Sequence, residues 1–279
     1  MGALIWLASY PKSGNTWMRT FLHNLFANGS QPVDLNRLDE FCLGGSQAAW
    51  YRKYTSTPLA ELTDEEIAKY RPAVQRDFTT SFPVSVFVKT HHFLGEHDGT
   101  SLHNMDVTAG AIYIVRNPLD VALSMVPHFA LPLDDAIKTM ADETAGTILT
   151  PDHVPEHYGS WSTNVRSWTQ RPNPQLLVLR YEDMLAKPRA TFKRVTNFLG
   201  LKPTPERLER AIRFSSFKVL KAQEQKTGFK ERPKVSNAFF REGKAEQWRE
   251  KLTPEQVRRI IADHGEQMRR FGYIPKDYL

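Results

Sequence analysis

Three short stretches hold residue types that could do chemistry. Tyr10-Pro11-Lys12-Ser13-Gly14-Asn15-Thr16-Trp17 follows an apolar run and opens a helical pattern. Free N–H groups at a helix start point towards an anion, and the helix dipole favours negative charge there. Gly14 permits close backbone approach, and Lys12 adds a full positive charge. Arg116-Asn117-Pro118 ends a second apolar run, with Ser124 about two helical turns on. A guanidinium grips a phosphate through two bonds, and a hydroxyl can donate another. Val88-Lys89-Thr90-His91-His92 ends a third run. Histidine is the usual base for a hydroxyl nucleophile near neutral pH. Taken singly, each stretch has a plainer reading. Ser13-Gly14-Asn15 also suits an ordinary strand–helix turn, and Arg116 a surface ion pair. The chain has 9 His, so His91 alone could equally be a surface or satisfied core histidine.

These residues need a scaffold, and the pattern supplies one. Ala3 to Ser9 is nearly continuously apolar, as in a strand buried on both faces. Trp17, Phe21, Leu22, Leu25 and Phe26 then recur at helical spacing over Thr16 to Ala27. Further strands are expected at Val84–Lys89, Ala111–Val115 and Leu176–Leu179. Helices are expected from Thr63, from Pro118 through Ser124, and over Gly159 to Thr169. After residue 188 the chain reads as helices, one starting at Thr204 and a last one running from the capping box at Thr253 to about Arg270. Gly228 to Ala245 is polar and basic, and reads as a long loop that could cover the site. Strands alternating with helices predict a single α/β domain over 1–279, with a central mainly parallel sheet flanked by helices. Ligands of such sheets bind at the carboxyl ends of strands, where all three stretches fall.

Composition limits the function. The 279 residues can bury a sizeable core without staples. A single Cys42 allows neither a disulfide nor a zinc cluster, which fits a reducing, cytoplasmic setting. Net charge is +6, from 37 basic and 31 acidic residues. That attracts anions, but no basic run or aromatic-rich strand motif points to nucleic acid. No apolar run reaches the ~20 residues of a membrane span. The loop also lacks the GxxxxGK[ST] spacing of a nucleoside-triphosphate site, because Lys12 precedes Gly14. A P-loop small-molecule kinase is therefore the alternative rather than the first reading.

Taken together, the stretches resemble the cytosolic-type sulfotransferases that use 3′-phosphoadenosine-5′-phosphosulfate (PAPS). The first looks like the family's 5′-phosphosulfate loop, with Asn15 where Thr is usual, as in bacterial natural-product enzymes. The resemblance implies that Lys12, Ser13, Gly14, Asn15, Thr16 and Trp17 hold the phosphosulfate, with Trp17 stacking on adenine. It implies that Arg116 and Ser124 bind the 3′-phosphate, that His91 is the base, and that Lys89 helps bind the sulfuryl group. His92, His103 and His128 rank lower. Arg241, Gly243 and Trp248 match the family's C-terminal phosphate segment, but Glu242 replaces its Lys, and Glu246-Gln247 its Gly-Asp. Tyr181 and the Ser215-Ser216-Phe217 tripeptide look like the family's adenine contacts. Gly159 to Trp168 is similar to a segment of glycopeptide-antibiotic sulfotransferases and reads as helix and core. The implied reaction is in-line transfer of a sulfuryl group from PAPS to a hydroxyl or amine of a small-molecule acceptor, releasing the bisphosphate PAP. Lys12 and backbone N–H groups would stabilise the leaving oxygen, and no metal is required. Residues 35–60 and 128–158, with Phe41, Trp50, Tyr51, Phe129 and Tyr158, are expected to shape the acceptor pocket. The family's dimerisation motif is not found around Lys230 to Phe239, which leaves oligomeric state open.

Overall fold

The computed structural model describes residues 2–82 and 84–279. Its centre is a five-stranded parallel sheet in the order β2-β3-β1-β6-β7. The strands are β1 Leu4–Ser9, β2 Cys42–Gly44, β3 Val86–Thr90, β6 Thr108–Val115 and β7 Leu176–Arg180. A two-stranded hairpin, β4 Glu96–His97 with β5 Thr100–Ser101, stands apart from the sheet. The helices are α1 Asn15–Ala27, α2 Ala48–Tyr51, α3 Asp64–Phe78, α4 Pro118–Phe129, α5 Leu133–Ala141 and α6 Trp161–Thr169. They continue with α7 Tyr181–Ala186, α8 Pro188–Phe198, α9 Pro205–Phe214, α10 Phe217–Thr227, α11 Trp248–Lys251 and α12 Pro254–Arg270.

Side-chain alternation along the strands builds two core layers. Leu4, Trp6, Ala8, Val86, Val88, Tyr113 and Val115 face one way, against α2 to α6 and α12. Leu7, Phe87, Ile112, Ile114 and Leu179 face the other, against α1 and α7 to α9. Both faces of the sheet are thus covered, which is why its strands read as apolar runs rather than as alternating ones. The helices begin where caps allow. Thr63 and Thr253 form capping boxes with Glu66 and Gln256, and Ser160, Asn117 and Thr204 cap α6, α4 and α9.

Three boundaries differ from the sequence reading. β3 starts at Val86, not Val84, because β1 begins at Leu4 and the register pairs Leu4 with Val86. Val84 has no strand to pair with and is exposed. β6 starts three residues early, at Thr108, where polar Thr108 and Gly110 hide the strand from a search for apolar runs. α4 runs past Ser124 to Phe129 despite Pro127, and stops at Ala130 in the left-handed conformation. The loop from Gly228 to Gln247 carries no regular element. A small third core of Leu35, Leu38, Leu220, Phe229 and Phe240 holds it down.

Candidate active site

The carboxyl ends of β1, β3 and β6 lie side by side in the sheet, so Ser9, Thr90 and Val115 open onto one rim. The loop after β1 turns sharply. Lys12 has φ 66° and Gly14 φ 105°. A Cβ on Gly14 would come within 2.7 Å of the Tyr181 ring, so the close approach requires glycine. α1 then starts with no side chain capping its first N–H groups and no acidic residue in its first turn. That is an anion-binding helix end.

Arg116 joins the same loop. Its Nη1 donates to the Lys12 carbonyl at 2.8 Å, and its guanidinium lies 4.4 Å above the Tyr181 ring. Trp17 meets Tyr181 edge-on at 5.8 Å. Lys12, Gly14, Trp17, Arg116 and Tyr181 are therefore one cluster. Ser13 Oγ and Arg116 Nε are buried in it with no protein partner. Buried donors rarely stay unpaired, and two beside a bare helix start suit a phosphate-bearing ligand.

Lys12 points its Nζ at His128 Nδ1, 3.2 Å away, and lies 4.1 Å from the Phe239 ring centre. Burial, with Arg116 close by, pulls the Lys12 pKa down to about 7 against the opposing pull of Glu231 and Glu224. Burial and the Lys12 charge push His128 down to about 3, so it is a neutral acceptor here.

His91 is fixed by its backbone surroundings. Nδ1 stands 2.7 Å from the Ser9 carbonyl, which can only accept, so Nδ1 carries the proton and Nε2 keeps its lone pair. Burial and then Lys89 hold its pKa down at about 3. Two residues not singled out for chemistry from sequence do this positioning. Glu156 accepts from the His91 N–H at 3.2 Å and pairs with Lys89 Nζ at 3.4 Å. Burial alone would raise Glu156, but Lys89 and the two histidines outweigh it and bring it down to about 2. Asn164, fully buried on α6, donates to the carbonyls of His91 (2.9 Å) and Tyr158 (3.0 Å) and accepts from the Tyr113 hydroxyl at 2.8 Å. His92 faces elsewhere, accepting the His157 N–H at 2.9 Å.

Other expected residues are placed less directly. Asn15 turns its amide back onto the Leu7 carbonyl at 2.8 Å, and Thr16 Oγ1 accepts from Arg19. Ser124 lies half-buried on α4. Ser215 Oγ closes the end of α9 by donating to the Ile212 carbonyl. Gly243, at φ 62°, lies flat against Phe217, which brings the two segments together. Arg241 is exposed, and its carbonyl accepts from Lys221. Glu242 pairs with Lys251 at 2.5 Å. Asp120, in the first turn of α4, accepts from the N–H groups of Glu246 (2.7 Å) and Trp248 (3.2 Å). It ties α4 to the C-terminal loop. Glu231 reaches from that loop to Arg19 on α1 in a two-bond pair at 2.6 and 2.8 Å.

The expected acceptor segments partly meet. Arg52, residues 55–60 and residues 149–151 line a cavity of about 520 Å³, but none of the residues described above lines it. Phe41 packs on His23 and Phe87, and Trp50 on Phe78, and both are half-buried at the margin of the core.

A family model described as "Sulfotransferase domain" matches residues 4–272. The chain belongs to the PAPS-dependent sulfotransferase family. It is 27% identical over 291 residues to cytosolic sulfotransferase 16 of Arabidopsis thaliana, covering 97% of this chain and 78% of that one. It is 26% identical to the 3-alpha-hydroxysteroid sulfotransferase of Cavia porcellus, covering 96% and 84%. Its fold is similar to that of a mouse sulfotransferase complexed with PAP, with a TM-score of 0.63 at 23% identity over 96% of this chain and 84% of that one. Retinol dehydratase in a complex with retinol and PAP gives 0.63 at 22%, over 95% and 81%. The protein is thus a sulfuryl-transferring enzyme, and its α/β sheet is the family's.

Proposed function

We propose that this sulfotransferase moves a sulfuryl group from PAPS to a hydroxyl or amine of a small-molecule acceptor, with His91 as general base. The observation that carries this is the Nδ1 contact of His91 with Ser9, at the rim where Lys12 and Arg116 also converge. It leaves Nε2 free to take a proton. Arg116, with its unpaired Nε, would hold the 3′-phosphate. Ser13 and the first N–H groups of α1 would hold the phosphosulfate. PAPS supplies the sulfuryl group on an activated anhydride. Lys12 opposes the charge that grows on the leaving oxygen. A bound polyanion close by raises the proton affinity of both Lys12 and His91, which moves the base towards its working range. Small-molecule acceptors are supported by the relatives, one named for a hydroxysteroid and one structure holding retinol.

His91→Ala tests the assignment. Turnover should fall by about 10²-fold or more while PAP affinity stays within a few-fold. Near-normal turnover would remove His91 as the base.

A further inference from the structure

A second cluster of ligating side chains lies on the far side of the segment that positions the base. Residue 157 is laced to the strand end after β3. Its N–H donates to His92 Nδ1 at 2.9 Å, and its carbonyl accepts from Phe93 at 3.0 Å. The His157 ring stacks on His97, with centroids 3.7 Å apart and planes 18° apart. Its Nε2 lies 3.1 Å from Asp64 Oδ2, in the first turn of α3. One ligand atom from each of Asp64, His97 and His157 falls within 4.8 Å of the other two.

Two details separate this from an ordinary ion pair. His157 is 9% exposed, yet its Nε2 makes no well-formed hydrogen bond. Asp64 Oδ1 is also buried without a partner. A plain His–Asp pair would align the 3.1 Å Nε2–Oδ2 contact as a hydrogen bond, because unpaired buried polar atoms are costly. Neutral imidazole is a good ligand for a divalent transition metal.

We propose that Asp64, His97 and His157 form a binding site for one divalent transition-metal ion, of which zinc is the type. Two imidazoles and a carboxylate match the donors zinc prefers, at about 2.0–2.2 Å, whereas magnesium and calcium prefer oxygen. Solvent takes the fourth position. Closing the three atoms onto one ion requires His97 to swing. It stands on the short β4–β5 hairpin, whose turn at Asp98 and Gly99 lies at φ 48° and 72°. Asp98, 3.3 Å from His97, adds negative charge next to the ion. The site lies outside the sulfuryl-transfer centre. It touches that centre only through the chain, because Glu156 precedes His157 and holds both Lys89 and the His91 N–H.

The test uses chelator-stripped full-length protein and cobalt(II) as the probe, read by its visible absorption and by calorimetry. The expected result is one cobalt per chain, displaced by an equivalent of zinc. His97→Ala and Asp64→Asn should each weaken binding at least tenfold. His153→Ala, which changes a histidine outside the cluster, should not. Circular dichroism of each variant confirms that it is folded, and His97 on its exposed hairpin is the safest change. Absence of saturable cobalt uptake would overturn the site. So would uptake that His97→Ala and Asp64→Asn leave unchanged. Neither readout depends on catalysis.

Discussion

At the scale of single residues, the site works through unequal titration. Lys12 sits near pH 7 because burial and Arg116 disfavour its charge. A free enzyme with Lys12 partly neutral must take up a proton to bind a polyanion. PAP affinity should therefore fall as pH rises from about 6 to 8.5, and proton uptake on binding should be largest in the upper half of that window. Calorimetry in buffers of different ionisation heat measures this directly. A flat affinity with no proton uptake would show that Lys12 does not face the ligand. Arg116 carries a second prediction. Arg116→Ala should weaken PAP by about 1.5–3 kcal/mol while changing affinity for the 5′-phosphate nucleotide far less. Equal losses would contradict a 3′-phosphate role. The residues that touch ligand in this account were legible because each sits at a strand end beside a turn or helix start. Glu156 and Asn164 were not legible as partners of His91. They lie 65 and 73 positions along the chain from it. No local spacing encodes a bond that exists only because α6 and the segment before it pack beside β3.

At the scale of elements, the loop over the site is fastened rather than loose. Glu231 grips Arg19, Glu224 accepts the N–H groups of Phe239 and Phe240, and Asp120 accepts those of Glu246 and Trp248. These contacts bring Phe239 over Lys12. The polar, basic composition of 228–245 revealed a loop but not its anchors. The anchors are carboxylates on three different helices and loops, and sequence shows them only as surface charge. Asp120→Ala should free the C-terminal segment. The expected outcome is a KM for PAPS raised about tenfold, with kcat changed less, at a stability cost of about 2 kcal/mol. Steady-state kinetics with a thermal melt checks both. An unchanged KM would mean that the segment does not shape the nucleotide site.

At the scale of the whole molecule, the parallel sheet and its two helical layers followed from pattern. Continuous apolar runs separated by helical periods leave few other arrangements. Strand ends were misjudged at Val84 and Thr108 because pairing partners, not residue types, decide where a ladder starts. The acceptor pocket was less legible. Phe41 and Trp50 look like pocket aromatics in sequence and lie half-buried at the core's margin, since an aromatic side chain alone does not say which face it will meet. The net charge of +6 agrees with a polyanionic ligand, and the fold concentrates part of it where β1, β3 and β6 end.

The central claim is that this rim binds a 3′-phosphorylated adenine nucleotide through Lys12, Ser13 and Arg116. Calorimetric titration with PAP, set against ATP with magnesium, tests it most directly. Tight 1:1 binding of PAP without added metal is expected, with little binding of ATP. Tight, magnesium-dependent ATP binding with weak PAP binding would contradict it and return the site to a kinase.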